Sequence, residues 1–296
     1  MEWTESFQVA IRYMEEHLLD DIRMDDIAKK VYMSPLYFQR GFKIMTGYSP
    51  SEYIRYRRLY LAALDAISGN EKVIELAYKY GYDTPESFTK AFTRFHGMSP
   101  MQIRSHFEKI KTFLPLKIRI SIQGGDEMNF TVEKMQGLQV IGFERVFSFE
   151  TSYQEIPGFW NEFCGRYMKY LIGQEKPVDE LQKAVWDYKI GEFGVCIDDL
   201  GEEGKFRYLL AGAYTGGDVP EGLTVYSFPD MEWAKFPCDG PMPAALQTVN
   251  TKIFREWLPN NPEFEIAMGA NIEWYSKGDI SSQDYEAAIW IPVNRK

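Results

Sequence analysis

The first 110 residues place hydrophobic side chains at helical spacing, interrupted by short polar turns. Four predicted helix starts carry Ser or Thr directly before Pro. The hydroxyl caps a free backbone N–H, and proline is tolerated at the first helical position. These starts are Ser34, Ser49, Thr84 and Ser99. The pattern predicts seven helices, near 4–19, 24–31, 35–46, 50–67, 72–80, 85–96 and 100–108.

One pattern within this half occurs twice. The stretches "SPLYFQRGFKIMTGYSP" (34–50) and "TPESFTKAFTRFHGMSP" (84–100) align at an offset of 50. Each predicts a helix whose phenylalanines, four residues apart, face a core. A small alanine in the preceding short helix permits close packing. The matched core positions are Phe38 and Phe42, Phe88 and Phe92, Ala28 and Ala77. Each copy is therefore predicted to be a helix-turn-helix unit.

The opposite face of each longer helix is polar. It carries Leu36, Gln39, Arg40 and Lys43 in the first copy, and Glu86, Thr89, Lys90 and Thr93 in the second. Gln and Arg can pair bidentately with base edges, and Thr and Leu can touch a thymine methyl group. Such a face also suits a helix that is merely exposed to solvent. The duplication with identical caps favours recognition of DNA.

Residues 4–107 resemble the DNA-binding domain of the AraC/XylS family of bacterial transcription regulators. The run "ELAYKYGYDTPESFTKAFTRFHGMSPMQIR" follows the family signature almost throughout. The resemblance implies two helix-turn-helix units joined by one long helix, here 50–67, which lets two recognition helices enter successive major grooves. A single chain then does what other helix-turn-helix proteins do as dimers.

The resemblance also implies roles for individual residues. The base-contacting positions of the family correspond to Leu36, Gln39, Arg40, Glu86, Thr89 and Lys90. Glu86 is a departure toward acid that would accept from cytosine N4 or repel phosphate. On the joining helix, Arg55, Arg57 and Arg58 are candidates for DNA-backbone contacts, which position the protein without specifying sequence.

The net charge of −10 is unevenly distributed along the chain. Residues 1–120 hold 18 Lys+Arg against 15 Asp+Glu, a charge of +3, and the remainder holds 15 against 28, a charge of −13. The overall acidity therefore does not exclude DNA binding. It indicates a basic module followed by an acidic one.

The second half is strand-rich, with helices near 153–171 and 241–257. Its element order predicts two pseudo-symmetric halves, each a curved antiparallel sheet with a helix on one side. A first strand is expected over Leu116–Ile122, followed by a turn at Gly124-Gly125. The predicted fold class is an all-α domain of two helix-turn-helix units, residues 1–110, followed by an α+β domain, residues 111–296.

The sequence lacks the signatures of a phosphate-binding loop, a metal site and a catalytic site. There is no glycine-rich phosphate loop, the three histidines all lie in the first half, and the three cysteines are far apart. No cofactor, no metal site and no catalytic residue is expected. The absence of a signal peptide and of an apolar run of about 20 residues predicts a cytoplasmic protein without a membrane partner.

Residues 128–296 resemble the GyrI-like effector-binding domain. The resemblance is carried by "EFGVCIDDL", "WAKFPCDGPMP" and "IEWYSKGD". It implies a central cleft in which aromatic side chains and usually a buried glutamate bind a ligand. We expect that glutamate in the last strand, where this sequence has Ala288. The expected cleft is therefore roomier and less anionic than usual, so neutral ligands should bind about as well as cations.

The candidate ligand site combines strand aromatics with the remaining acids. Its predicted members are Trp186, Tyr214, Trp233, Phe236, Glu273, Trp274, Glu286 and Trp290. Trp233, Trp274 and Trp290 are the expected walls for a flat aromatic or lipophilic molecule. The same tryptophans would equally serve as sheet core.

The sequence as a whole predicts a DNA-binding transcriptional regulator whose C-terminal domain senses a small lipophilic molecule. Expected partners are double-stranded DNA and that effector, with RNA polymerase as a further candidate. The alternatives are that the C-terminal domain hydrolyses small molecules or binds protein. The missing acid at position 288 argues against hydrolysis.

Overall fold

The structure, a computed structural model, describes residues 3–69, 71–117, 128–202 and 204–296. The chain divides into two compact units, which are described separately. Most of the first is helical, and most of the second is a sheet with flanking helices. From residue 118 onward, the strand predicted over Leu116–Ile122 and the turn at Gly124-Gly125 lie outside the described residues.

The helical unit follows the predicted pattern closely. Its helices are α1 (Trp3–Glu16), α2 (Met24–Lys30), α3 (Pro35–Thr46), α4 (Pro50–Ser68), α5 (Val73–Lys79), α6 (Pro85–His96) and α7 (Pro100–Ile103), followed by a 3-10 turn, Phe107–Lys109. The last helix stops five residues earlier than predicted. Ser105 Oγ and His106 Nδ1 each lie 3.1 Å from the carbonyl oxygen of Gln102, so local side chains compete for a carbonyl at the helix end.

The predicted caps set the helix boundaries. The Ser49 hydroxyl accepts from the Glu52 N–H at 3.1 Å, while Glu52 Oε2 accepts from the Ser49 N–H at 2.8 Å. At α6, Thr84 Oγ1 accepts from the Ser87 N–H at 3.1 Å. The same helix ends at Gly97, whose φ of 79° is in the left-handed region that glycine adopts without strain.

Each helix-turn-helix unit has its own core. In the first, Phe38 and Phe42 have ring centroids 5.8 Å apart, and in the second Phe88 and Phe92 are 5.5 Å apart. All four rings are fully buried, as are the small residues of the preceding helices, Ala28 and Ala77. The predicted pairing of a short helix with a longer one is therefore confirmed in both units.

A buried ion pair connects α1 to α4. Arg57 Nε and Nη2 donate to the two carboxylate oxygens of Glu15, each at 2.8 Å, and the Tyr53 hydroxyl donates to the same carboxylate at 2.6 Å. The Arg57 side chain is almost completely buried and has lost most of its contact with water. The ion pair offsets this loss of hydration for both charges.

Replacing Arg57 with alanine should destabilise the protein by about 3–5 kcal/mol, because the Glu15 carboxylate would remain without its cation. Urea unfolding measures the loss. The matched control is Arg55→Ala on the exposed side of α4, which should change the free energy of unfolding by less than about 0.5 kcal/mol. Equal stability of the two variants would contradict the assigned role.

His96 is a buried residue at the end of α6. Its Nδ1 accepts from the Lys111 backbone N–H at 3.3 Å, which leaves the proton on Nε2, 3.1 Å from the carbonyl oxygen of Leu59. Burial lowers the pKa of His96, and the nearby positive charge of Lys111 acts in the same direction. The neutral ring is therefore the form that fits the folded protein.

This histidine should make stability depend on pH. Because its pKa is lower in the folded state than the unfolded value of about 6.5, its contribution is complete above that pH and is lost as pH falls below it. We expect urea unfolding between about pH 5 and pH 8 to show this loss in the wild type and less of it in His96→Gln. The control at an exposed residue is His106→Gln. It should keep the wild-type slope of the free energy of unfolding against pH. An unchanged slope in His96→Gln would refute the assignment.

The second unit contains one nine-stranded sheet, with every described pair of neighbouring strands antiparallel. The strands are β1 (Thr131–Met135), β2 (Gln139–Ser148), β3 (Phe193–Ile197), β4 (Lys205–Ala213), β5 (Thr224–Ser227), β6 (Met231–Asp239), β7 (Phe264–Ile266), β8 (Ala270–Tyr275) and β9 (Glu286–Arg295). The helices are α8 (Ser152–Leu171), α9 (Glu180–Asp187), α10 (Ala244–Lys252), a π-helical segment (Ile253–Trp257) and α11 (Leu258–Asn260).

The strand order confirms two pseudo-symmetric halves. Along the sheet the order is β1-β6-β9-β8-β3-β4-β2-β5, with β7 added to β9. The order β5-β2-β4-β3 on one side corresponds to β1-β6-β9-β8 on the other. Each half carries a helix between its strands, α8 in the first and α10 in the second. The halves meet where β3 pairs with β8.

Register assigns the side chains of the central strands to two faces, because directly paired residues point the same way and neighbours along a strand alternate. We call one the helix face, since Tyr208 and Cys196 there pack into a core with Phe163 of α8. We call the other the far face, where Val195 and Ile272 pack with Trp233. Among the helices in the described residues, none is long and apolar enough to cross a membrane.

Candidate functional sites

The predicted recognition face of α6 is open to solvent. Glu86, Lys90 and Thr93 are exposed and Thr89 is half-buried, on the side opposite the buried phenylalanines. With Pro85 and Arg94 they line a shallow surface depression. This face offers an acceptor, hydroxyls and cations along two turns of helix, the groups that read base edges and phosphates.

The corresponding residues of α3 are Leu36, Gln39, Arg40 and Lys43. Arg40 and Lys43 are half-buried, and Lys43 Nζ lies 2.8 Å from Glu52 Oε2. Base contact by this set stays a prediction.

The three arginines of the joining helix have different environments. Arg55 is exposed, with its guanidinium carbon 5.3 Å from the centre of the Tyr56 ring. Arg57 is committed to Glu15, so its predicted contact with the DNA backbone is corrected to a structural role. Arg58 donates to the carbonyl oxygens of Leu18 and Asp20 at 2.6 and 2.7 Å, which occupies two of its donors.

Two of the predicted ligand contacts are core residues. Trp233 and Phe236 are fully buried. The Trp233 ring lies 5.1 Å from Phe228, and the Phe236 ring lies 4.8 Å from Trp257. A ligand could touch neither without displacing its neighbours, which corrects both assignments.

Another group of predicted contacts lies on the far face. Ala288 pairs directly with Trp274, and Glu286 and Trp290 share its side of β9. Trp290 packs 5.6 Å from Phe193. An acid at position 288 would therefore point away from the helix face, and the lack of one does not alter that face. The expectation built on Ala288 stays a prediction.

The remaining predicted aromatics lie near the end of β4. Trp186 is on α9 rather than a strand, and it is 45% exposed. Tyr214 follows β4, donates to the carbonyl oxygen of Gly217 at 2.6 Å and packs 5.4 Å from Tyr188. Their contact with a ligand stays a prediction.

The structure brings Glu273 together with three aromatic residues on the helix face. The hydroxyls of Tyr275 and Tyr208 lie 3.0 and 3.4 Å from Glu273 Oε2, and both can donate to it. Trp160 Nε1 donates to the Tyr208 hydroxyl at 2.9 Å, and its ring lies 5.3 Å from Tyr275. We call Glu273, Tyr275, Tyr208 and Trp160 the carboxylate–aromatic cluster.

Local sequence explains why the cluster can form. Glu273 and Tyr275 are two residues apart on β8 and therefore point to the same face. Gly194 pairs with Glu273 across the junction of the two halves. A Cβ on Gly194 would collide with the Tyr208 hydroxyl, so a residue without a side chain is required there. Glu273, Tyr275 and Trp160 are all partly exposed, which leaves the cluster accessible to solvent.

The environment of Tyr275 keeps its hydroxyl protonated. Burial, reinforced by the charge of Glu273, raises the pKa of Tyr275 well above its ordinary value. Burial also raises the pKa of the Cys238 thiol to about 12, so this cysteine is no nucleophile at neutral pH. In the described residues, no group of three or more His, Cys, Asp or Glu is placed to hold a metal ion.

Sequence reasoning named Glu273 but missed its partners. Tyr275 could have been found, because strand alternation places it beside Glu273. Trp160 comes from α8, and Tyr208 comes from another strand, 65 positions away from Glu273. No sequence signal connects those two residues to the carboxylate.

Comparisons with known proteins agree with both units. Residues 27–106 match a helix-turn-helix domain family, and residues 128–294 match the GyrI-like small molecule binding domain. The Transposon Tn10 TetD protein of Escherichia coli is 36% identical over 92 residues, 31% of this chain and 67% of that protein. The regulatory protein SoxS of Salmonella typhimurium is 33% identical over 97 residues, 33% of this chain and 91% of SoxS.

A solved structure of a putative bacterial transcription regulation protein from Staphylococcus aureus MU50 covers 56% of this chain and 99% of its own. The sequences are 25% identical, with a TM-score of 0.40. The two family matches together account for both units. The chain therefore belongs to the AraC family of DNA-binding transcriptional regulators and carries a GyrI-like small-molecule binding domain.

Proposed function

We propose that the GyrI-like domain recognises a lipophilic organic cation at the carboxylate–aromatic cluster and that binding adjusts how the helix-turn-helix units engage DNA. One observation carries the proposal: a partly exposed carboxylate, Glu273, lies among the rings of Tyr275, Tyr208 and Trp160. The proposal differs from the expectation built on Ala288, in which neutral ligands bind about as well as cations.

The chemistry of the cluster favours a cation. Aromatic faces attract positive charge, by about 0.5–2 kcal/mol for each well-placed ring. A carboxylate 4 Å from a cation adds roughly 4 kcal/mol of attraction at an effective dielectric constant of 20, before the cost of removing water. Apolar groups on the ligand favour the same rings, which explains why a lipophilic cation suits the site better than a small inorganic one.

We propose a sensor rather than an enzyme, because the matched domain is a small molecule binding domain and is joined to a helix-turn-helix domain. A hydrolase would use the same carboxylate to activate water and would consume its ligand. Mass spectrometry after prolonged incubation separates these functions. Recovery of the ligand unchanged supports a sensor, and a hydrolysed product supports an enzyme.

On the DNA side, we propose that Lys90, Thr89 and Glu86 of α6 contact base edges and that Arg55 of α4 contacts the DNA backbone. These side chains are exposed or half-exposed and lie within the matched helix-turn-helix domain. DNA binding implies a cytoplasmic location in a bacterium. RNA polymerase is a further proposed partner.

Glu273→Gln should remove the preference for a cation while leaving the size of the site unchanged. The probes are benzyltrimethylammonium and its neutral carbon isostere, followed by tryptophan fluorescence, since Trp160 lies in the cluster. We expect the wild type to favour the cation and the variant to lose about tenfold of that preference, equivalent to about 1.4 kcal/mol.

The matched control is Glu286→Gln, which removes an acid from the far face of the same sheet. It should retain the wild-type preference. Equal loss in both variants would assign the effect to overall charge and not to the cluster. A wild type without any preference for the cation would refute the proposed ligand class.

Lys90→Ala should cost about 1–3 kcal/mol on the preferred DNA and relax base preference at one position, because a base contact carries specificity. Arg55→Ala should weaken binding to all sequences alike and reduce the slope of affinity against salt by about 1. DNA selected by the protein from a random pool provides the probe, with fluorescence anisotropy as readout. Lys183→Ala, in the GyrI-like domain, is the control. Equal effects of Lys90→Ala on selected and random DNA would overturn the base contact.

A further inference from the structure

The chain does not leave the helical unit when its last helix ends. Residues 111–116, which we call the strap, run back across α6 and α4. The Lys111 N–H donates to His96 of α6. The carbonyl oxygen of Phe113 accepts from Arg57 Nη1 at 2.5 Å, and the Leu116 N–H lies 3.4 Å from the Tyr53 hydroxyl, both on α4. The strap is thus bonded at three points along six residues.

The Phe113 side chain fills the space between the two helix-turn-helix units. Its ring lies 5.2 Å from Tyr48, at the end of the first helix-turn-helix unit, and 6.3 Å from Phe95 of α6, in the second helix-turn-helix unit. Tyr53 and Tyr56 of the joining helix lie 5.9 and 5.5 Å away. Phe113 packs against both hydrophobic cores, which otherwise draw almost entirely on different residues.

Buried polar groups fix the position of this ring. Arg57 divides its donors between Glu15 of α1 and the Phe113 carbonyl, so the ion pair that connects α1 to α4 also holds the strap. His96 divides its two nitrogens in the same way, between the Lys111 N–H and the Leu59 carbonyl of α4. Each of these two side chains therefore connects the strap to a different pair of helices.

Two recognition helices on one chain bind DNA more tightly together than singly only if their separation and relative orientation are fixed. The second contact is then intramolecular, and the gain depends on how well the geometry matches the DNA. The joining helix supplies the separation. The strap adds a third connection, because it contacts the first unit, the joining helix and the second unit at once.

We propose that the strap is a positioning element for DNA recognition and that Phe113 is its central positioning residue. It holds the two helix-turn-helix units in the relative orientation that binds two half-sites at once. It contacts neither DNA nor ligand in this role. Its removal should weaken the cooperation between the units and leave each unit able to bind alone.

The test uses the full chain and DNA that the wild type selects from a random pool. Three probes are compared: the full site, and two versions in which one half-site or the other is replaced by random sequence. For Phe113→Ala we expect about a tenfold or greater loss of affinity for the full site and less than about a twofold change for either half-site. The neighbouring residue gives the control: Leu114 is 63% exposed, and Leu114→Ala should change none of the three affinities.

Half-site spacing provides a readout that general destabilisation does not move. Inserting one base pair between the half-sites should weaken the wild type sharply and Phe113→Ala much less, since a loosened pair of units tolerates the altered spacing. Phe113→Leu keeps an apolar side chain and replaces the alanine variant if that variant does not fold. The same affinities are then measured on the full site, on each half-site and on the site with the inserted base pair. Unchanged full-site affinity, or equal losses on the full site and both half-sites, would overturn the proposal.

Discussion

The helical unit depends on one interaction, the buried pair of Arg57 and Glu15. Taking both charges out of water is costly, and the cost is offset only when each finds well-placed partners. Here the carboxylate receives three donors and the guanidinium bonds to α1 and to the strap at once. The geometry of that pair fixes where α1, α4 and the strap meet. The seven-residue helices α2 and α5 are too short to be stable alone and rely on cores arranged around this frame.

In the GyrI-like domain the corresponding constraint is the two-residue period of the strands. Trp274 lies between Glu273 and Tyr275 in sequence, yet it points to the opposite face of the sheet and packs in the far-face core. Shifting the register of β8 by one residue would exchange the carboxylate with the tryptophan. In this register Gly194 pairs with Glu273, and the absence of a side chain at Gly194 leaves room for the Tyr208 hydroxyl. A binding cluster and a packed core are thereby built from alternate residues of one strand.

Features of the structure that depend on neighbouring residues could be predicted from the sequence, and features that depend on distant residues could not. The helices and their caps were predictable because a Ser-Pro start or a Gly stop acts within a few residues, as at Ser49 and Gly97. The role of Arg57 was not, because its partner Glu15 is 42 positions away and the arginine is indistinguishable by pattern from its exposed neighbour Arg55. The partners of Glu273 were hard to predict for a similar reason. Alternation shows which strand residues share a face, but only the tertiary structure shows which face the helices cover.

A small molecule can alter DNA binding only by the difference in its affinity for two states of the protein. That difference is typically about 1–3 kcal/mol, so the element it moves must be held by interactions of similar size. The Arg57–Glu15 pair is too strong, since breaking a buried pair costs about 3–5 kcal/mol. The strap is held differently, by one hydrogen bond from the charged Arg57 guanidinium worth about 1.5–3 kcal/mol, by two between uncharged groups worth roughly 1 kcal/mol each, and by one aromatic side chain. In the chain it also lies between the helical unit's last helix and the GyrI-like match, which begins at residue 128. Of the connections described within the helical unit, the strap is therefore the one whose contacts are individually weak enough for a ligand to release some of them while both cores stay folded.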